Sequence, residues 1–315
     1  MVFPNDLAAA LTAARIAVEE HVRRATQIGV TWQEETVSEL VWVNARVDGR
    51  TPVQVADFNK TEEGKVGADW LWWFVDSTGE CLGLLVQAKR LKHDRDRPAL
   101  DLRYKRKDAL DQMTTLFRAA KTLQVPSAYA LYFGPVEGRG LQCSPAHAVS
   151  CESCRRKTIA ILSGLRAGLI PDDKFVSARQ AFGECLALED IADAARNQDP
   201  AVYIGAEALP EELQRWMTEP QVGARQVAKR IYQIIIRPDE LMHSADVANR
   251  VLVPPDAVFQ EMPHDVGHFG QPYVAHVLRG LRRQPPSYVL EIRAGEPPSL
   301  GPEFDDIGGI AVLTI

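Results

Sequence analysis

Two consecutive apolar segments constrain the fold of this chain more than any other feature. The first is 70–75 (WLWWFV), which follows Asp69, and the second is 82–86 (LGLLV), which leads into Gln87 and Lys89. A polar turn at 76–80 separates them, so the pair predicts a β-hairpin. Neither segment alternates apolar with polar residues, which indicates a sheet that helices cover on both faces.

Three polar residues stand at the same end of this hairpin. Gln87 and Lys89 lie two apart on a strand, so both point to one face while Ala88 points to the other. A two-residue turn at 78–79 would put Asp69 opposite Ala88, on the wrong face, whereas a three-residue loop or a bulge would pair Asp69 with Gln87 or Lys89. Polar residues that end a buried strand are costly unless they are paired or bound to something. If the three polar residues act together on one face, the hairpin must have an odd-numbered loop or a bulge.

The pattern of Asp69 and Gln87-x-Lys89 resembles the PD-(D/E)XK nuclease superfamily, which has the restriction-endonuclease-like fold. With Gln in the acidic position and Arg90 after the lysine, it is most similar to the Mrr-type restriction endonucleases. The resemblance covers residues 30–135. The family's order of elements is matched by segments predicted to be a helix over 31–44 with a capping box, a strand over 53–58, the hairpin, a helix over 103–124 and a strand over 127–133.

Specific roles follow from this resemblance. Asp69 would be a metal ligand, Gln87 a ligand or a positioner of water, and Lys89 the electrostatic partner of the attacked phosphate. Glu35 or Glu39, which share one helix face, would complete the catalytic set, and Glu35 is expected to join Asp69 and Gln87 around Mg²⁺ or Mn²⁺. The alternative is structural: Asp69 and Lys89 form a cross-strand ion pair, and Gln87 caps a backbone group.

The function implied by the resemblance is that of a metal-dependent nuclease, a hydrolase of phosphodiester bonds. We expect a DNA endonuclease of a bacterial restriction or antiviral defence system. Two alternatives remain open: an RNA-directed nuclease with the same site, and a catalytically inactive nucleic-acid-binding or scaffold protein of the same fold.

A basic segment follows the proposed catalytic strand. Residues 89–107 carry nine Lys or Arg against three Asp, a local net charge of +6 in a chain whose formal charge is −6. A phosphate backbone would favour such a region, and the expected partner is double-stranded DNA. The predicted nucleic-acid contacts are Lys65, Arg90, Lys92, Arg103, Lys105, Arg106 and Lys107. A solvated basic helix face is the alternative.

Four potential zinc ligands fall within twelve residues. They are Cys143, His147, Cys151 and Cys154, and they could form a small structural Zn²⁺ site. Their spacing fits no common zinc module, so a loop with incidental thiols is the alternative.

Composition and length limit the remaining possibilities. The chain has 315 residues, 46% of them hydrophobic, which suits an ordinary globular protein. It contains neither a long apolar run nor a secretion signal at its start, so we expect a soluble cytoplasmic protein with no membrane partner, which could pair as a homodimer. The fold class is α/β: a restriction-endonuclease-like core, with a central mixed β-sheet flanked by helices, over 1–140, and an accessory α/β extension over 141–315. Within the extension we expect a helix over 155–167 and strands over 288–292 and 310–315.

Overall fold

An eight-stranded mixed β-sheet flanked by helices forms the centre of this α/β protein. The computed structural model describes residues 6–46, 51–57, 68–105, 110–144, 151–193, 218–235, 259–261, 272–274, 280–305 and 307–315. The helices are α1 (Asp6–Gln27), α2 (Glu34–Asn44), α3 (Gln112–Thr122), α4 (Glu152–Arg156), α5 (Gly164–Leu169), α6 (Lys174–Glu184), α7 (Gly223–Ile235) and α8 (Ser287–Ala294). The strands are β1 (Val53–Asp57), β2 (Ala68–Val75), β3 (Cys81–Arg90), β4 (Lys92–Asp94), β5 (Arg97–Ala99), β6 (Ser127–Tyr132), β7 (Ile159–Ser163), β8 (Leu186–Ala187), β9 (Phe259–Glu261), β10 (Pro272–Val274), β11 (Leu281–Arg282) and β12 (Ile307–Thr314).

Strands from both halves of the sequence build the main sheet. Its order is β1-β12-β2-β3-β6-β7-β8, and β11 pairs with the beginning of β3. The pairs β12–β2 and β3–β6 are parallel, whereas β1–β12, β2–β3, β6–β7 and β7–β8 are antiparallel. The strands β7, β8, β11 and β12 of the predicted extension therefore enlarge the sheet of the predicted core.

The β2–β3 hairpin has the odd-numbered loop that the sequence requires. Val75 pairs with Cys81, and the Asp76 backbone N–H donates to the Glu80 carbonyl at 3.0 Å, which leaves three residues in the loop. Gly79 takes a positive φ of 90°, a conformation that glycine adopts without steric cost. This register continues from Trp70 opposite Val86, and it brings Asp69 level with Gln87 rather than Ala88.

Both faces of the sheet are buried, as the continuous apolar segments predict. On one face, Trp72, Phe74 and Val86 pack in a core shared with α1, α2 and α7. On the opposite face, Trp73 and Leu85 pack in a core shared with α3, α6 and α8. Because side chains alternate along a strand, Asp69, Gln87 and Lys89 belong to the second face, on the side of α3.

Two predicted helix starts are wrong. The helix predicted from residue 31 begins at Glu34, and Gln33 occupies its N-cap without a side-chain hydrogen bond. The capping box does not form because the Glu34 carboxylate binds the backbone of β3 instead. The helix predicted over 103–124 begins at Gln112, since Asp111 caps it by accepting from the Thr114 backbone N–H at 3.0 Å. Residues 103–105 lie outside the helix, and 106–109 fall outside the described residues.

Two elements of the extension also differ from prediction. Residues 155–167 contain strand β7 rather than one helix, because an apolar run that is buried on all sides fits either element. Residues 288–292 lie in helix α8, where Val289 and Ile292 are buried and Leu290 is half exposed. Pro286 before the helix and Gly295 at φ 76° after it fix its ends. The strand predicted over 310–315 is confirmed as β12.

No helix in the described part of the chain is both long and apolar enough to cross a membrane.

Candidate active site

Asp69, at the start of β2, is bound to β3 by two hydrogen bonds. Its Oδ2 atom accepts from the Gln87 side-chain Nε2 at 2.6 Å and from the Ala88 backbone N–H at 2.7 Å. The hairpin register produces this contact, because it places Asp69 beside the end of the Gln87-x-Lys89 segment. Asp69 thus contacts Gln87, one of the two partners, Gln87 or Lys89, that an odd-numbered loop allows.

Gln87 is nearly fully buried, with 2% of its surface exposed. Its Nε2 donates to Asp69 and, at 3.3 Å, to the Ala88 carbonyl. Its Oε1 atom is buried and has no hydrogen-bond partner. An unpaired buried acceptor costs about 1–3 kcal/mol, so a group of this kind calls for an explanation such as a bound ion or water.

Lys89 is buried on the same face and donates from Nζ to the Oε1 atom of Gln112, the first residue of α3. Burial lowers the pKa of Lys89, while the negative charges of Glu34, Asp69 and Asp101 act in the opposite direction and favour the ammonium form. No direct Asp69–Lys89 ion pair is among the contacts of these described residues. Of the structural alternative, the cross-strand pair is therefore not seen in the hairpin, whereas Gln87 does bind a backbone group, the Ala88 carbonyl.

The helical carboxylate that contacts β3 is Glu34, which the sequence interpretation missed. Its Oε1 accepts from the Arg90 backbone N–H at 3.1 Å, and its charge acts on both Asp69 and Lys89. Glu35 is exposed, although its charge also reaches Asp69, and Glu39 is exposed further along α2. Glu34 is thus a further candidate for the helical acid that the resemblance implies, and the roles of Glu35 and Glu39 stay predictions.

The electrostatic environment disfavours ionisation of Asp69. Burial raises the pKa of Asp69 to about 6, the backbone N–H of Ala88 lowers it, and the negative charge of Glu34 raises it again. A carboxyl group with this pKa sits close to the protonation boundary at neutral pH. Such a group releases its proton readily when a cation binds beside it.

The backbone of strand β12 packs closely against the backbone of Asp69. A Cβ atom built on Gly308 would lie 2.6 Å from the backbone oxygen of Asp69, closer than real atoms approach. No segment near the hairpin in the sequence indicates this contact, since Gly308 is more than 200 residues away from Asp69 along the chain.

Gly308→Ala is therefore expected to lower the free energy of unfolding by about 1–3 kcal/mol, because backbone rather than a flexible side chain must move. The measurement is urea unfolding followed by circular dichroism. Gly183→Ala in α6 is the matched control, since a Cβ there meets no atom within 4 Å. An unchanged unfolding midpoint for Gly308→Ala would contradict the close packing of β12 on Asp69.

The predicted nucleic-acid contacts divide into three groups. Lys92 and Lys105 are exposed. Arg90 is half-buried with its guanidinium 5.6 Å from the centre of the Trp32 ring, and Arg103 donates to the Gly168 carbonyl at 2.8 Å. Lys65, Arg106 and Lys107 lie outside the described residues. The alternative of a solvated basic helix face does not hold for residues 92–99, because β4 and β5 form a hairpin there.

Oxygen atoms dominate the donor set at this site. The Asp69 carboxylate, the unpaired amide oxygen of Gln87 and, at the end of β3, the Glu34 carboxylate are hard oxygen donors of the kind that Mg²⁺ and Mn²⁺ prefer. Lys89 adds a buried positive charge that suits an anionic substrate.

The fold and the site define a class of protein: a mixed-sheet α/β protein in which one hairpin ends in a half-buried carboxylate, a buried amide bound to it, and a buried ammonium group on the same strand face. Residues 7–291 match the model of DUF6615, a family of unknown function, and the chain belongs to that family. Neither a curated protein nor a solved structure matches the chain.

Proposed function

We propose that this protein is a metal-dependent DNA endonuclease with a restriction-endonuclease-like core. The observation that carries the proposal is the buried, unpaired Oε1 of Gln87, a residue that binds Asp69 through Nε2 and shares its strand face with Lys89. A bound cation would give this acceptor the partner that it lacks. The proposed setting, bacterial restriction or antiviral defence, rests on the resemblance to the Mrr-type restriction endonucleases.

The order of elements supports the same proposal. Helix α2, strands β1, β2 and β3, helix α3 and strand β6 follow one another in the order that the nuclease resemblance implies. Strands β1 and β2 follow one another in the sequence but are not neighbours in the sheet, because β12 lies between them. This insertion leaves the β2–β3 hairpin intact, so the candidate catalytic residues keep their register.

The donor set fits a hard divalent cation. Asp69, Glu34 and Gln87 would hold Mg²⁺ or Mn²⁺ through oxygen atoms. When bound, the cation would polarise the phosphoryl oxygen and make the attacking water more acidic. The raised pKa of Asp69 agrees with such a role, because its carboxylate lacks a full counter-charge in the protein alone.

The chain's own residues would act on the phosphate and on each other. Lys89 would stabilise the negative charge that develops on the phosphate oxygens, and Gln112 fixes the direction of its ammonium group. Gln87 holds Asp69 in place through Nε2 while it presents Oε1 to the site. During hydrolysis the water oxygen bonds to phosphorus, the bond from phosphorus to the leaving oxygen breaks, and the leaving oxygen takes up a proton.

A basic hairpin next to the site supports a nucleic-acid substrate. Strand β4 begins two residues after β3 ends, and β4 and β5 are joined by Arg95 and Asp96, both with positive φ. The exposed cationic residues of this hairpin are Lys92, Arg95 and Arg97, the last of which also stacks on Phe175 at 4.0 Å. Their position beside the end of β3 suits contacts with the phosphate backbone around the cleaved bond.

Plasmid cleavage by the purified chain tests the proposal. We expect cleavage with Mg²⁺ or Mn²⁺ and none with EDTA. Gln87→Ala should lose most of the activity, whereas Gln87→Glu should keep or tighten Mn²⁺ binding in calorimetry, because a carboxylate of nearly the same size adds charge. Glu296→Gln, an exposed change in the loop after α8, is the control and should behave like the wild type.

Other results would redirect the proposal. If the wild type and Gln87→Glu both bind no divalent cation in the presence of DNA, the scaffold alternative replaces the nuclease. If a structured RNA is cleaved and plasmid DNA is not, the metal-dependent site stands, and the substrate is RNA.

A further inference from the structure

Three cysteines that have no role in the proposed nuclease site converge around helix α4. The sulfur atoms of Cys143, Cys151 and Cys154 all lie within 4.8 Å of one another, and those of Cys143 and Cys151 are 3.5 Å apart. Cys143 follows β6 by eleven residues, Cys151 is the N-cap residue of α4, and Cys154 lies within that helix. In the described part of the chain, this is the one group of three His, Cys, Asp or Glu ligands that converges so closely.

The distances agree with a tetrahedral ion better than with a disulfide. Zn–S bonds of about 2.3 Å separate two sulfur ligands by about 3.8 Å in a tetrahedron. A disulfide would draw two sulfurs to about 2.05 Å and would leave the third without a role. The Cys143–Cys151 separation of 3.5 Å is close to this value, and no pair of the three sulfurs is more than 4.8 Å apart.

Backbone N–H groups point at these sulfur atoms. The Cys143 N–H donates to the Cys154 sulfur at 3.2 Å, and the Ser153 and Cys154 N–H groups donate to the Cys151 sulfur. Hydrogen bonds of this kind around a metal site orient its ligands and reduce the repulsion among thiolates.

We propose that Cys143, Cys151 and Cys154 bind one structural Zn²⁺ ion through their thiolates. Soft sulfur ligands select Zn²⁺ over the hard cations expected at Asp69, so the two sites differ in chemistry. His147, the fourth ligand predicted from the sequence, lies outside the described residues. The three sulfurs alone define the proposed site, and it does not depend on the proposed nuclease activity.

The ion would fasten the segment after β6 to helix α4. Arg139 already links the same two parts: its buried guanidinium donates to the carbonyls of Leu141 at 3.1 Å and Cys154 at 3.0 Å. The guanidinium also lies 4.6 Å from the centre of the Phe182 ring. A metal bound by the three thiolates would link the segment after β6 to α4 a second time, at the protein surface where Cys143 is exposed.

Metal content of the full chain tests this proposal. After purification without chelators, elemental analysis should find about one zinc ion per chain. Cys143→Ser and Cys151→Ser should lose the zinc, and neither removes a fully buried group. Cys185→Ser is the matched control, because Cys185 lies outside the cluster and its sulfur donates only to the Phe182 carbonyl at 3.5 Å.

Cobalt substitution of the wild type supplies a second measurement that does not depend on how the variants fold. Bands of tetrahedral cobalt–thiolate coordination in the wild type would support the site, and their absence would overturn it. Zinc content that is unchanged in Cys143→Ser would also overturn it. So would a zinc-free wild type in which mass spectrometry finds a Cys143–Cys151 disulfide.

Discussion

Asp69→Asn is expected to abolish cleavage and, at the same time, to stabilise the folded protein. Loss of the carboxylate removes a cation ligand, and a metal contribution of several kcal/mol corresponds to a fall of about 10³-fold or more in rate. The amide can still accept the hydrogen bonds from Gln87 and Ala88 without the cost of burying a negative charge. The pKa rise of Asp69 from 3.8 to about 6 corresponds to a gain of up to about 3 kcal/mol at neutral pH.

The gain in stability from Asp69→Asn should increase as the pH rises. Because the pKa of Asp69 is higher in the folded chain than in the unfolded chain, its contribution to stability is complete below the ordinary value of 3.8. That contribution is lost as the pH rises through about 6. Urea unfolding should therefore find little difference between the wild type and Asp69→Asn near pH 4, and the full difference near pH 7.

Asp172→Asn is the control for both measurements, since Asp172 is exposed in a loop before α6. It should leave cleavage and stability unchanged. An Asp69→Asn protein that keeps wild-type cleavage would remove Asp69 from the site. Equal stability of Asp69→Asn and the wild type at neutral pH would show that the buried carboxylate carries no electrostatic cost.

Lys89→Met is expected to slow cleavage by about 10²–10³-fold, the loss typical of removing one donor that stabilises transition-state charge. The methionine side chain fills the buried space, and the ammonium group that faces the phosphate is lost. DNA binding should change little, because the exposed cations of the β4–β5 hairpin remain. The measurement is the single-turnover cleavage rate at saturating Mn²⁺.

Lys229→Met provides the comparison for loss of a buried ammonium group. Lys229 is 1% exposed in α7 and donates to the Glu219 carbonyl at 2.7 Å, on the opposite face of the sheet from Lys89. Its replacement should affect stability without changing the cleavage rate of the folded protein. A Lys89→Met protein that cleaves DNA at the wild-type rate would contradict the proposed role of Lys89 at the phosphate.

Local chemistry made the central hairpin predictable. The apolar segments predict two buried strands, and the turn residues Asp76 and Gly79 fix a loop of three residues. Gln87 and Lys89 then share a face because side chains alternate along a strand. These short-range rules limit the partner of Asp69 to Gln87 or Lys89, and the three-residue loop of the structure selects Gln87.

Other parts of the site depend on contacts that are distant in sequence. Glu34 has the pattern of a capping-box residue, but the backbone of Arg90, 56 residues away, takes its carboxylate. Gln112 meets Lys89 only because α3 packs against the end of β3. Neither contact leaves a signal in the local pattern, since either side chain could equally face solvent.

The amino-acid sequence by itself determined the buried hairpin, the shared face of Asp69, Gln87 and Lys89, and the α/β class, because each depends on periodicity and turn chemistry within a few residues. Only the tertiary structure decided that β12 enters the sheet beside β2, that the Glu34 carboxylate binds the backbone of β3, and that three cysteines converge after β6. These arrangements depend on which distant segments bury each other most completely. Which segments pack together depends on the whole chain, so it cannot be read from the spacing of residues within one segment.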